Sequence, residues 1–149
     1  MGRTKTIMLD IKRGGYMRRS VTVSDTDQWI PGRVGQVGTA GALEVPTTSN
    51  YPKGFIVEGK KASDGQTSVA IIMDKVVFAP EAYNNEFTSA GTFASGISAS
   101  LAHGDDIYFD AAGALTTIAA SGVGTKLVGH WDADASVVDV NVDFASTGD

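Results

Sequence analysis

Glycine interrupts this chain every few residues, and this feature limits what the chain can fold into. The 149 residues include 18 glycines, about 12% of the chain where about 7% is usual. Because each glycine inside a helix costs about 1 kcal/mol relative to alanine, long helices are not expected. The same spacing is typical of short strands joined by tight turns.

The apolar segments between the glycines are short, and several alternate with polar residues. The clearest lies near the end of the chain, where Val138, Val140, Val142 and Phe144 occupy every second position. Such alternation places one side of a strand against a core. Dipeptides typical of hairpin turns separate some of the segments. These dipeptides are Asp64-Gly65, Ala112-Gly113 and Ser121-Gly122. We therefore expect an all-β protein, a single small β-sandwich or β-barrel-like domain, with at most one short helix near residues 80–85.

The first 19 residues differ from the rest of the chain in charge. They contain six basic residues and one acidic residue, a net charge of +5, whereas the other 130 residues contain 6 basic and 16 acidic residues, a net charge of −10. Ile7, Leu9 and Ile11 also form an apolar stripe in this segment. We expect residues 1–23 to be a basic extended N-terminal arm and residues 24–149 to be the β domain.

An arm of this kind is suited to pairing with a partner through main-chain hydrogen bonds and alternate side chains. We expect it to be mobile alone and to become ordered against an acidic protein surface; the alternative is a solubilising tail. The residues predicted to contact a partner are Arg3, Lys5, Ile7, Leu9, Ile11, Lys12, Arg13, Arg18 and Arg19.

The residues that catalysis needs are scarce in this sequence. The absence of cysteine excludes disulfides, thiolate metal sites and cysteine nucleophiles. The two histidines, His103 and His130, have no G-x-S-x-G motif to accompany them. The glycine-rich strings at residues 35–41 and 122–126 match neither a dinucleotide fingerprint nor a P-loop, so we interpret them as turns. We expect no enzymatic activity and no cofactor.

Two groups of acidic residues offer carboxylates of the kind that bind calcium, and we interpret both as turns or a solvated face. The first group contains Asp105, Asp106 and Asp110, and the second contains Asp132 and Asp134, which lack the glycine of an EF-hand loop. Nucleic acid is not an expected partner, because most of the molecule is acidic and the basic segment has a single aromatic residue, Tyr16. No signal peptide or membrane span is expected, because no long apolar run is present.

The order of segments in the second half of the chain resembles the capsid cement (decoration) proteins of tailed bacteriophages. The segments that carry the resemblance are residues 104–110, 113–117, 126–131 and 138–142, together with residues 31–38 and 44–46 upstream. The resemblance implies a β-barrel-like or β-sandwich fold, a homotrimer, and binding to the outer shell at local three-fold positions. The expected partners are the major capsid protein and other copies of this chain, and the expected location is the virion after synthesis in the host cytoplasm.

Two other functions are compatible with the sequence. One is a glycan- or receptor-binding β module of a phage tail or cell surface, which would use Tyr51, Tyr83 or Trp131 to stack on sugar rings. The other is a small β-barrel enzyme, which the sequence disfavours because it offers no convincing acid–base pair.

Overall fold

The structure, a computed structural model, describes residues 7–47, 51–82, 87, 90–117, 127–142 and 144. The described residues lie mainly in short strands, and two 3-10 turns are described over their full length, at Thr39–Gly41 and Ser98–Ser100. In chain order the strands are β1 (Ile7–Met8), β2 (Asp10–Gly14), β3 (Arg18–Thr22), β4 (Val34–Val37), β5 (Leu43–Glu44), β6 (Lys53–Ile56), β7 (Glu58–Gly59), β8 (Ser68–Ile72), β9 (Val76–Ala79), β10 (Asp106–Phe109), β11 (Leu115–Thr116), β12 (Gly129–Asp132) and β13 (Val137–Val140).

These strands form two main antiparallel sheets and one small pair. The first sheet has six strands in the order β11-β10-β12-β13-β9-β2, and the second has five in the order β3-β8-β6-β4-β5. Strand β1 pairs with β7. A parallel bridge between Thr22 and Ala42 brings the two ends of the five-stranded sheet together, so this sheet curls towards a barrel. The all-β, sandwich- or barrel-like fold expected from the sequence is confirmed.

The main core fills the space between the two sheets. Four phenylalanines lie at its centre: the ring of Phe55 is 5.5 Å from that of Phe78 and 5.6 Å from that of Phe144, and Phe144 also contacts Phe109. A second cluster lies inside the curled sheet and includes Val21, Val37, Ile56 and Ile71. Burial of each such side chain contributes about 1.5–3 kcal/mol. The two clusters together hold both sheets in one domain.

The predicted division into an arm and a body is wrong for residues 7–23. Most of these residues are extended, as expected, but they form strands of the fold: β1 pairs with β7, β2 pairs with β9 and β3 pairs with β8. Leu9 lies in the main core and Val21 in the second cluster. The apolar stripe therefore finds its cover within the same chain and needs no partner for burial.

Two of the predicted hairpin turns are present, and the third lies outside the described residues. Gly65 lies in the turn between β7 and β8 with φ +87°, and Gly113 in the turn between β10 and β11 with φ +81°. Of the expected helix, residues 80–82 are not helical and residues 83–85 lie outside the described residues. Among the described residues no helix has the length and apolar character needed to cross a membrane.

Lys60 is a fully buried basic residue that ties two loops together. Its ammonium group donates hydrogen bonds to the backbone oxygens of Asp25 (2.6 Å) and Lys61 (2.9 Å) and to the Asp64 carboxylate (3.1 Å). Burial of Asp64 opposes its ionised form, but backbone N–H donors and the hydrogen bond and charge of Lys60 outweigh that effect. The pKa of Asp64 is therefore lowered from its ordinary 3.8.

Candidate functional site

The apolar part of the predicted contact set faces the interior of the protein. Leu9 is only 6% exposed, and its N–H donates a hydrogen bond to the Val57 oxygen at 2.7 Å. Ile7 and Ile11 are half-buried, and Ile11 packs against the main core. Leu9 thus has almost no surface to offer a partner. Arg3 and Lys5 lie outside the described residues.

The basic part of the predicted set is on the surface. Lys12 and Arg13 on β2 and Arg18 and Arg19 on β3 are all exposed. The exposed Lys75 follows the tight turn before β9, so it adjoins them through the pairing of β2 with β9. We call the surface formed by these five side chains and the connecting residues 14–17 the basic corner.

The basic corner lies beside an open sheet edge. Strand β2 is the last strand of the six-stranded sheet, and no other described strand pairs with its outer side. Its pairing with β9 shifts between Ile11 and Arg13, so Lys12 is the extra residue of a β-bulge. Bulges and charged side chains are common protections of an edge strand against uncontrolled pairing. The edge is therefore available to a partner of complementary charge but guarded against non-specific pairing.

The connection between β2 and β3, residues 14–17, is a tight turn held by the backbone; we call it the corner turn. Gly14 and Gly15 have φ values of +77° and +74°, and a Cβ atom on Gly14 would lie 2.5 Å from the Lys75 oxygen. Both positions therefore favour glycine because of their positive φ, and Gly14 also has no room for a Cβ atom. The Gly15 N–H donates to that oxygen at 3.0 Å, and the Met73 N–H donates to the Met17 oxygen at 2.9 Å.

Two polar side chains complete the corner turn. The Asp74 carboxylate accepts hydrogen bonds from the Tyr16 and Met17 N–H groups, each at 3.0 Å. Arg18 Nε donates to the Gly15 oxygen at 3.0 Å. The turn nevertheless exposes its own apolar side chains, since Tyr16 is 87% and Met17 53% exposed. Sequence reasoning missed both residues as contact candidates, although the string Gly-Gly-Tyr-Met-Arg-Arg, which places them between a turn and two cations, could have indicated them.

The six-stranded sheet is basic at the β2 edge and acidic towards the opposite side. Strand registers place Arg13, Val77, Asp139, His130 and Asp106 opposite one another in sequence across five strands. His130 Nε2 lies 3.1 Å from the Asp106 carboxylate, and both side chains are about half exposed. The charge difference seen along the sequence is thus also a difference between two sides of one sheet.

The carboxylates considered as calcium ligands mostly stabilise turns. Asp105 accepts a hydrogen bond from the Ala102 N–H, and Asp110 accepts two from the turn after β10. His103, Asp132 and Asp134 have ligand atoms within 4.8 Å of one another. However, His103 Nδ1 and Asp132 Oδ1 already accept N–H groups of residues 133–135. Turn formation is sufficient to explain this cluster.

A cavity beside Trp29 has the size of a small-ligand site. Its volume is about 390 Å³, and its lining combines Ile30, Leu43 and Ile56 with the polar Asp27 and Glu44. Sites for small molecules occupy about 300–1,000 Å³ and have mostly apolar linings. The indole N–H of Trp29 is buried and has no hydrogen-bond partner.

The aromatic residues proposed for glycan stacking have different surroundings. Tyr51 is 41% exposed, and its hydroxyl lies 3.5 Å from that of Thr39. Trp131 packs edge-on against Phe93, with ring centroids 5.8 Å apart. Tyr83 lies outside the described residues. Among the described residues, these aromatic rings therefore do not form a shared stacking surface for a sugar.

Comparison of the chain with models of protein families, with curated protein sequences and with solved structures finds no match.

Proposed function

We propose that this chain is a non-enzymatic structural protein that binds an acidic protein surface through the basic corner. One observation carries the proposal: five basic side chains are gathered beside an open sheet edge on a molecule that is acidic overall. Complementary charge speeds the encounter with a partner and selects against wrong partners. The partner we propose is the outer shell of a phage capsid, where the chain acts as a cement protein.

The fold is suited to such a role. Two sheets packed on a phenylalanine-rich core form a stiff body, and the corner turn is fixed by several hydrogen bonds to residues 73–75. Many copies bound on a lattice of identical shell subunits would gain through avidity even when each contact is weak. A clamp across neighbouring capsomers would then resist the outward pressure of packaged DNA.

We also propose that the copies associate as a homotrimer, as the resemblance implies. Strand edges are open to unwanted pairing unless they are paired or covered, and symmetric association is the usual way in which soluble oligomers cover them. Light scattering on concentrated protein, or on protein released from shells, should give a mass near three chains; a monomer under both conditions would contradict this part of the proposal.

The main experiment compares decorated and undecorated phage heads. Heads without the protein should assemble but release DNA at a lower temperature, and the purified protein should restore the higher release temperature. Arg19→Glu should weaken restoration, whereas Lys61→Glu, the same charge change in the turn between β7 and β8, should leave it close to that of the wild type. Equal release temperatures with and without the wild-type protein would reject the cement function.

A glycan-binding module is the second candidate, and the cavity beside Trp29 is the observation in its favour. Its volume lies in the range of small-molecule sites, and the carboxylates of Asp27 and Glu44 can accept hydrogen bonds from sugar hydroxyls. A glycan array probed with the free protein separates the two functions. We expect no glycan binding that depends on Trp29. Glycan binding by the wild type that Trp29→Ala abolishes would favour the glycan module.

A further inference from the structure

Tyr16 combines high exposure with a fixed backbone. Its side chain is 87% exposed, the highest value among the large hydrophobic residues on the described surface. Its N–H is nevertheless bonded to Asp74, and both flanking residues are also fixed: Gly15 bonds to Lys75, and Met17 bonds to Met73 and Asp74. A tyrosine on a mobile loop would need no explanation, but this one is displayed by a rigid turn.

The tyrosine ring takes no part in the hydrogen bonds that hold the corner turn. The contacts that hold the corner turn come from backbone groups, from the Asp74 carboxylate and from Arg18 Nε, and none of them involves the ring. The adjacent Met17 side chain is also 53% exposed. The turn therefore presents an aromatic ring and a thioether to the solvent, with Arg13 before them and Arg18 and Arg19 after them in the chain.

We propose that Tyr16 is the anchor of the docking surface and inserts into an apolar pocket on the shell protein, while acidic residues around that pocket meet Arg13, Arg18 and Arg19. This inference rests on the proposed function and identifies the part of the basic corner that supplies most of the affinity. Binding hot spots are enriched in tyrosine and arginine, and a few such residues carry most of the binding energy. A side chain with few rotatable bonds on a fixed turn loses little entropy on binding.

Asp74 acts as a positioning residue in this arrangement. Its carboxylate accepts hydrogen bonds from two successive N–H groups of the corner turn. These bonds fix the backbone at Tyr16 and therefore the direction in which its side chain projects. Without it the ring would sample more orientations, and part of the binding free energy would be lost in ordering the turn.

A protein pocket is a better partner for this surface than nucleic acid. Single-stranded nucleic acid is bound by several aromatic side chains along a basic groove. The basic corner displays one aromatic residue, and residues 20–149 carry a net charge of −10 that would repel a polyanion. An acidic rim around an apolar pocket matches both the cations and the single ring.

The test measures binding of the purified protein to phage heads that lack it, by co-sedimentation over a range of concentrations. Tyr16→Ala should weaken binding by about 30-fold or more, the effect of losing a hot-spot residue. Tyr16→Phe should bind within about threefold of the wild type, because the pocket recognises the ring. Tyr51→Ala, which removes an exposed tyrosine elsewhere, should have no effect. The thermal unfolding of Tyr16→Ala should match that of the wild type, since the side chain is 87% exposed.

Asp74→Ala should weaken binding to a smaller degree than Tyr16→Ala and should speed hydrogen exchange at the Tyr16 and Met17 amides. Unchanged binding by Tyr16→Ala would overturn the anchor while leaving shell binding through charge intact. Absence of binding by the wild type would overturn both this inference and the proposed function. Tyr16-dependent binding to a single-stranded oligonucleotide, with none to heads, would overturn the choice of a protein partner.

Discussion

At the scale of single residues, Lys60 shows how a charge can be tolerated inside a small β protein. Its ammonium has three hydrogen-bond acceptors within 3.1 Å, and a second carboxylate oxygen, from Asp25, lies 3.6 Å away. A buried ion pair contributes little net stability relative to apolar residues of the same shape, but loss of one partner leaves the other uncompensated. No pattern in the sequence indicates that this lysine is buried, because its acceptors come from loops that only the fold brings together.

Lys60→Met should therefore be strongly destabilising. The variant removes the cation that faces the Asp64 carboxylate and one hydrogen bond each to that carboxylate and to the Asp25 and Lys61 oxygens. We expect a loss of about 3–5 kcal/mol in the free energy of unfolding, because one partner of a buried ion pair is left uncompensated. Urea denaturation measures this quantity. Lys75→Met, which removes an exposed lysine, is the matched control and should change stability by less than about 0.5 kcal/mol. Similar midpoints for the two variants would mean that Lys60 is not buried in solution.

The lowered pKa of Asp64 predicts how stability depends on pH. A carboxylate with a lower pKa in the folded state contributes stability that is present above its unfolded pKa and is lost as the pH falls through its folded pKa. The wild type should thus lose this contribution below about pH 4. Asp64→Asn should be less stable than the wild type at pH 7, and the difference should shrink in acid. Unfolding curves at pH 7 and at lower pH test this, and a difference independent of pH would contradict it.

At the scale of elements, the first strands show what alternation can and cannot predict. The stripe of Ile7, Leu9 and Ile11 correctly indicated an extended segment with one buried side. It could not indicate what covers that side, because the covering strands, β7 and β9, are tens of residues away in the sequence. The charge of the segment suggested an external partner, whereas the fold separates the two properties by turning the apolar face inward and the basic side chains outward.

Leu9→Ala tests whether the first strands belong to the core. Leu9 is 6% exposed and packs in the main cluster, so truncation should cost about 2–5 kcal/mol. Met8→Ala, at the adjacent position that is 51% exposed, should have a much smaller effect. Chemical denaturation of both variants gives the comparison. An equally small effect for Leu9→Ala would restore the interpretation of residues 7–14 as a separate arm.

At the scale of the whole molecule, the sequence predicts that basic and acidic residues are separated, but it does not predict where on the folded surface each group lies. The sequence has a basic first segment and an acidic remainder. The fold places the basic residues at one edge of the six-stranded sheet and Asp139, His130 and Asp106 in a row towards the other side. The exposed ring of Tyr16 was also beyond prediction, because exposure depends on the hydrogen bonds that the corner turn makes with Asp74.

This charge separation predicts how the rates of binding to phage heads depend on salt. The dependence distinguishes electrostatic steering by the basic corner from anchoring by Tyr16. Exposed charges are screened over about 10 Å at 0.1 M salt and about 3 Å at 1 M. The rate of association with undecorated heads should therefore fall by about tenfold or more between low and high salt, while the dissociation rate changes little. Arg19→Glu should associate more slowly and show a shallower salt dependence. Tyr16→Ala should keep the salt dependence of the wild type and dissociate faster, because the ring contributes no charge. Association kinetics on immobilised heads measure both rates, and an association rate independent of salt would show that the basic corner does not steer binding.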